Sequence, residues 1–129
     1  MPTGVITSEL RTETVHSTTD LSGAVYKLVN RSTSVDHRVA LATGTGSPLY
    51  VLIEGGNGSA SAPAAGVIVM DGETKVKVGT GGLTAGQYVT SDGSGQGIAA
   101  SSGQNYVGVA AENASDGDLC RISVSRGIM

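Results

Sequence analysis

The sequence has few residues that could support chemistry. Its 129 residues include one cysteine and two histidines, so no disulfide can form within the chain. A zinc site would need further ligands at short spacing from His16 or His37, and none accompany them. There is no P-loop and no nucleophile elbow, and residues 44–49 (GTGSPL) lack the third glycine of a dinucleotide fingerprint. We therefore expect no enzyme, no cofactor and no metal.

Charge and hydropathy argue against two further classes of protein. The formal net charge is −3, and the eight basic residues are scattered rather than clustered, which is not the pattern of a nucleic-acid binder. No apolar run approaches the roughly 18 residues that span a bilayer. The N-terminus also lacks a basic start followed by an apolar run. We expect no nucleic acid and no membrane as partners, and synthesis in the cytoplasm.

Aromatic residues are scarce, and this limits how a core can be built. Phe and Trp are absent and there are four Tyr, so Val, Ile, Leu and Ala must supply the packing. Branched side chains of this kind favour pleated strands over helices. Cys120 lies within an apolar run and is expected to be a small buried hydrophobe rather than a reactive thiol.

Short apolar runs recur between glycine-rich breaks along most of the chain. Val76 and Val78 alternate with lysines, and Asp92-Gly93 and Asp116-Gly117 are strong signals for tight turns. Turn signals about every eight to twelve residues are typical of an all-β barrel or sandwich of short antiparallel strands. The predicted strands are residues 24–30, 38–43, 49–54, 67–70, 75–78, 88–90, 98–100, 106–111 and 119–124.

Two of these strands are apolar on both faces, namely residues 49–53 (LYVLI) and 67–70 (VIVM). A half-exposed strand should alternate. Each of the two is therefore either central in the fold or has one face against another subunit. The residues between them, 55–66, are rich in Gly, Ala and Ser and are predicted to form a long flexible loop.

The first 22 residues differ from the remainder. They are rich in Thr and Ser, and they show no helical stripe of apolar residues. We predict an extended N-terminal arm over residues 1–22 and a β domain over residues 23–129. The arm is either a frayed tail or a segment that adds a strand to the sheet edge of a neighbour.

Residues 75–124 combine a strand that begins A-G-x-x-V, a V-G-V-A strand, and a turn of small residues before the last strand. These features are residues 83–89 (LTAGQYV), 92–93 (DG), 106–110 (YVGVA), 114–118 (ASDGD) and 121–124 (RISV). In them the chain resembles the small capsid decoration proteins of phages, also called head-stabilising or cement proteins.

This resemblance implies a structural virion protein on the outer surface of a phage head. It would be a homotrimer that cements neighbouring subunits of the major capsid protein, with no catalysis. The arm would then dock on the shell or on a sister subunit through its apolar side chains Val5, Ile6, Leu10 and Val15. The two-faced strands would supply the trimer contact, through Tyr50, Leu52, Ile68 and Met70.

Two other functions fit the same pattern. A structural module of a phage tail or fibre would show the same succession of short strands and turns. A β domain that binds a small ligand or a sugar is also compatible with the fold, although four Tyr and no Trp offer little for stacking on sugar rings.

Overall fold

The computed structural model describes residues 10–129, and this part of the chain contains ten β-strands and no helix. The prediction of an all-β fold is confirmed. The strands of the first half are β1 (Arg11–Ser17), β2 (Leu28–Arg31), β3 (Val39–Leu41), β4 (Tyr50–Glu54) and β5 (Ala64–Asp71). Those of the second half are β6 (Glu73–Lys77), β7 (Tyr88–Ser91), β8 (Gly97–Ala99), β9 (Asn105–Ala110) and β10 (Leu119–Ile128).

The first five strands form an antiparallel sheet that curls into a small barrel. The strand order is β1-β5-β4-β2-β3, and the two outer strands meet at a parallel bridge between His16 and Arg38. At this seam the His16 N–H donates to the carbonyl oxygen of His37 over 2.8 Å. Every strand sends side chains into the interior, and each contributes one that is at most 2% exposed: Val15, Val29, Val39, Leu52 and Ile68.

The last five strands repeat this arrangement. Their order is β6-β10-β9-β7-β8, and a parallel bridge between Val78 and Gly97 joins the outer strands. Val76, Ala110 and Ile122 are buried in its core. Adding five to every strand number of the first sheet gives the order of the second. The chain is therefore a tandem pair of barrels with the same topology.

Backbone hydrogen bonds show that the match extends to individual residues. In the first barrel the Tyr26 N–H donates to Leu52 O over 2.6 Å, and in the second the Gly86 N–H donates to Ala110 O over 2.8 Å. Tyr26 and Gly86 also share a left-handed backbone, with φ of 67° and 91°. Glycine adopts this conformation without steric cost, whereas a bulky residue is strained in it. Tyr26 thus occupies a position that the second barrel fills with glycine.

The two barrels pack together through the outer face of β2, β4 and β5. Leu28, Val51 and Val69 lie side by side across these strands, and each is completely buried. Three backbone hydrogen bonds join the barrels, from Leu28 N–H to Gly95 O (2.7 Å), from Lys77 N–H to Tyr26 O (2.8 Å) and from Asn105 N–H to Thr45 O (3.2 Å). The two-faced strands are therefore central, with one face in the barrel interior and the other against the second barrel.

Several predicted boundaries are corrected by this fold. Residues 1–9 lie outside the described part of the chain, but residues 11–17 of the predicted arm are strand β1, which pairs with β5 along its whole length. The predicted loop over residues 55–66 is shorter, because β5 already begins at Ala64 and bridges such as Asp20–Asn57 order the remainder. The last strand is longer than predicted and continues to Ile128.

Candidate interaction surfaces

The four residues predicted to form a trimer contact lie on one side of their strands, but that side faces the interior of the first barrel. Leu52 and Ile68 are completely buried there. Tyr50 and Met70 are half-buried and pack against the same core. The sheet closes on itself, so the face that looked like a patch for a partner is filled by the chain's own side chains. Leu52 and Ile68 are core residues in this fold.

The four residues predicted for the docking arm are divided. Val5 and Ile6 lie outside the described residues. Val15 is 2% exposed and belongs to the interior of the first barrel, because β1 is part of that barrel. Leu10 is 51% exposed immediately before β1. Docking through Leu10 stays a prediction.

A cluster of charged and aromatic side chains closes one end of the first barrel. The guanidinium of Arg31 lies 5.0 Å from the ring centroid of Tyr50 and forms an ion pair with Glu13. The second carboxylate oxygen of Glu13 is 3.0 Å from Nδ1 of His37. The hydrogen bond from Arg31 lowers the pKa of Glu13, and the same bond raises the pKa of Arg31. Glu13 thereby ties β1 to β2 and to the turn before β3.

Arg126 reaches this cluster from the second barrel. It lies in β10 at a shift of register between Val124 and Gly127, where the strand departs from regular pairing with β9. Its guanidinium lies 4.5 Å from the ring centroid of Tyr50 and donates to the carbonyl oxygens of Val69 and Met70. Arg126 is a side-chain link between the two barrels. Sequence reasoning missed it because its partners are 56 and 57 positions away.

A hollow of about 680 Å³ lies along the seam where β1 and β3 meet. Its lining includes His16, His37 and Arg38 on one side and the small residues Pro63 and Ala65 on the other. The Nε of Arg38 approaches Nδ1 of His16 at 3.4 Å. Within residues 10–129 no carboxylate lies within 4.0 Å of the Arg38 guanidinium. Both histidines of the chain are thus brought to one place that their separation in sequence does not indicate.

The outer face of the second barrel presents apolar side chains to solvent. Tyr88 pairs with Val109 across β7 and β9, and Val109 pairs with Ser123 of β10. Tyr88 is 40% exposed and Val109 is half-buried, and Tyr106 meets Tyr88 edge to face with ring centroids 4.5 Å apart. These residues lie in predicted strands, but nothing in the sequence marks them as a surface.

The side chains that could bind a metal ion or act as a nucleophile do not form a site in the described part of the chain. Among residues 10–129 no three His, Cys, Asp or Glu side chains come together in a way that could hold a metal ion. Cys120 is completely buried, and burial raises the pKa of its thiol. Residues 10–129 contain no helix that is long and apolar enough to cross a membrane.

The fold is shared with a solved phage structure. Neither protein-family models nor curated proteins gave a match to the chain. Among solved structures, the chain is similar to the crystal structure of the N base of head fiber gp8.5 in bacteriophage phi29, with a TM-score of 0.69. The two are 18% identical in sequence, and the match covers 94% of this chain and 98% of the other. At this identity the likeness is one of fold, and it takes in both barrels.

Proposed function

We propose that the chain is a non-catalytic structural protein of a phage virion. On this proposal it decorates the outer surface of the head as a homotrimer and cements neighbouring subunits of the major capsid protein. The observation that carries the proposal is the shared fold, because nearly the whole of both chains is matched to the base of a fibre that belongs to a phage head. The resemblance of residues 83–124 to cement proteins points the same way.

The architecture of the molecule suits a stiff mechanical role. Each barrel joins its outer strands, so little strand edge is left for uncontrolled pairing. The barrels are held together by a buried apolar row, by backbone hydrogen bonds and by Arg126. Such a body adds contact area between shell subunits without changing shape. The net charge of −3 favours a place on the outside of the shell over contact with packaged DNA.

A second candidate is the base of a fibre or another structural module of a phage tail or fibre. The observation that favours it is that the solved neighbour is itself a fibre base. The two candidates share the virion and the fold. They differ in whether the protein lies flat between shell subunits or supports a projection.

Electron cryo-microscopy of virions with and without the encoding gene tests both candidates. We expect density the size of this chain on the outer head surface that disappears in the deletion, together with earlier loss of DNA from deletion heads on heating. Density at the foot of a projection would favour the fibre base, and density on the tail would remove the cement role. Absence of the chain from purified virions would overturn both.

A further inference from the structure

The tandem duplication assigns a counterpart to each residue of the contact between the barrels. In the first barrel, the row Leu28, Val51 and Val69 is covered by the second barrel and completely buried. The counterpart row in the second barrel is Tyr88, Val109 and Ser123, which shows the same pairing across the corresponding strands. Tyr88 and Ser123 are exposed and Val109 is half-buried. Within residues 10–129, the second barrel therefore presents uncovered the face that the first barrel buries.

The receiving side of the contact has counterparts as well. The second barrel holds the first through Gly95 and Lys77, whose backbone groups bond to Leu28 and Tyr26. Gly95 precedes β8 as His37 precedes β3, and both have a left-handed backbone, with φ of 77° and 59°. Lys77 occupies in β6 the register position that His16 occupies in β1. The counterparts of the receiving residues, His16 and His37, line the hollow of about 680 Å³ on the first barrel.

We propose that copies of this chain associate head to tail. The outer face that carries Tyr88, Val109 and Ser123 in one copy (the Tyr88 face) would be seated on the hollow beside His16 and His37 in the next copy (the seam hollow). The contact repeats between copies the packing that already joins the two barrels within one copy. Because His16 N–H is already bonded to His37 O, the contact at the seam is made by side chains rather than by these two backbone groups. Tyrosine is among the residues that contribute most at protein interfaces. The proposal rests on the proposed homotrimer and assigns its contact to a new pair of surfaces.

A head-to-tail contact uses two different patches, and a ring closes when the rotation between copies allows it. Because the two patches differ, each can be altered without the other, and two complementary variants should then pair with each other. A contact between identical patches would not show this behaviour. Tyr88→Glu alters the donating face and leaves the hollow intact. Ala65→Glu alters the hollow and leaves the Tyr88 face intact. Both residues are exposed, so each variant is expected to fold, and circular dichroism and thermal unfolding check that it does.

The experiment is sedimentation velocity and light scattering of the full chain over a range of concentrations. We expect the wild type to assemble, each single variant to be monomeric at the same concentrations, and an equimolar mixture of the two variants to form heterodimers and nothing larger. Ala85→Glu is the matched control and should assemble like the wild type. Ala85 is exposed, and its counterpart in the first barrel, Val25, stays 37% exposed although that barrel is in contact with the second.

Three results would overturn the inference: oligomers of Tyr88→Glu equal to those of the wild type, no heterodimer in the mixture, or equal disruption by Ala85→Glu. If the wild type oligomerises and only the first of these is seen, the homotrimer stands and its contact lies elsewhere. If the wild type is monomeric at every concentration yet is found on virions, both the contact and the homotrimer fail while the virion role stands.

Discussion

Replacing Arg126 with alanine should weaken the junction between the barrels more than any other single change at the surface. The guanidinium stacks over Tyr50 and donates to two carbonyl oxygens of β5. A hydrogen bond from a charged group contributes about 1.5–3 kcal/mol, and a partly desolvated cation–π contact contributes about 1 kcal/mol. Because the bond to Val69 O is long at 3.4 Å, we count one good hydrogen bond and expect a loss of about 3 kcal/mol.

Thermal and urea unfolding measure this loss. With an unfolding entropy of about 2.1 cal/mol/K per residue, a chain of 129 residues loses about 4 °C in Tm for each kcal/mol, so Arg126→Ala should unfold about 11 °C lower. Arg126→Lys keeps the charge without the planar guanidinium, and its Tm should lie between those of the wild type and Arg126→Ala. Arg121→Ala, at an exposed position of the same strand, should change Tm by less than about 2 °C. An Arg126→Ala protein that unfolds within 3 °C of the wild type would refute the assignment of Arg126 as a link between the barrels.

Three further predictions concern buried or paired groups. The hydroxyl of Thr90 is buried and has no hydrogen-bond partner among residues 10–129, so Thr90→Val should raise the unfolding free energy by about 1 kcal/mol, and a clear loss of stability would show that the hydroxyl is bonded. Arg31 lowers the pKa of Glu13, so this ion pair stabilises the folded protein fully above pH 4.5, the ordinary pKa of the carboxyl, and the stabilisation is lost as the pH falls through the lowered pKa. In Glu13→Gln the unfolding free energy should therefore fall less steeply as the pH is lowered, and an unchanged slope would contradict this. Cys120 should resist thiol reagents in the folded protein and react in urea, and rapid labelling of folded protein would contradict its burial.

The fold class and the strands followed from local signals, which is why they were predictable. The alternation of Val76 and Val78 with lysines placed β6 correctly, since both valines are completely buried. The Asp-Gly signal at Gly117 marks a residue with φ of 88°. At residues 91–95, however, the left-handed glycine is Gly95 and not Gly93, because Asp92 Oδ1 accepts from the N–H groups of Ser94 and Gln96 and so extends the turn.

The surfaces could not be predicted in the same way, because they depend on how far a sheet curls. Residues 49–53 show two apolar faces, but nothing local says that one face closes a barrel and the other meets a second barrel. The duplication is equally hidden. Its corresponding residues include Tyr26 with Gly86 and Leu52 with Ala110, which share backbone geometry and hydrogen bonds but little side-chain chemistry.

Each barrel is built from one continuous half of the chain, which has a consequence for synthesis. Residues 11–71 contain every strand of the first barrel, so it can close while the second half is still being translated. Until then the row Leu28, Val51 and Val69 has no cover and is a site for aggregation. The cover is completed only when β10 emerges and brings Arg126 to Tyr50. A nascent chain that stops before β10 should therefore be prone to aggregate, because its row of Leu28, Val51 and Val69 is not yet fully covered.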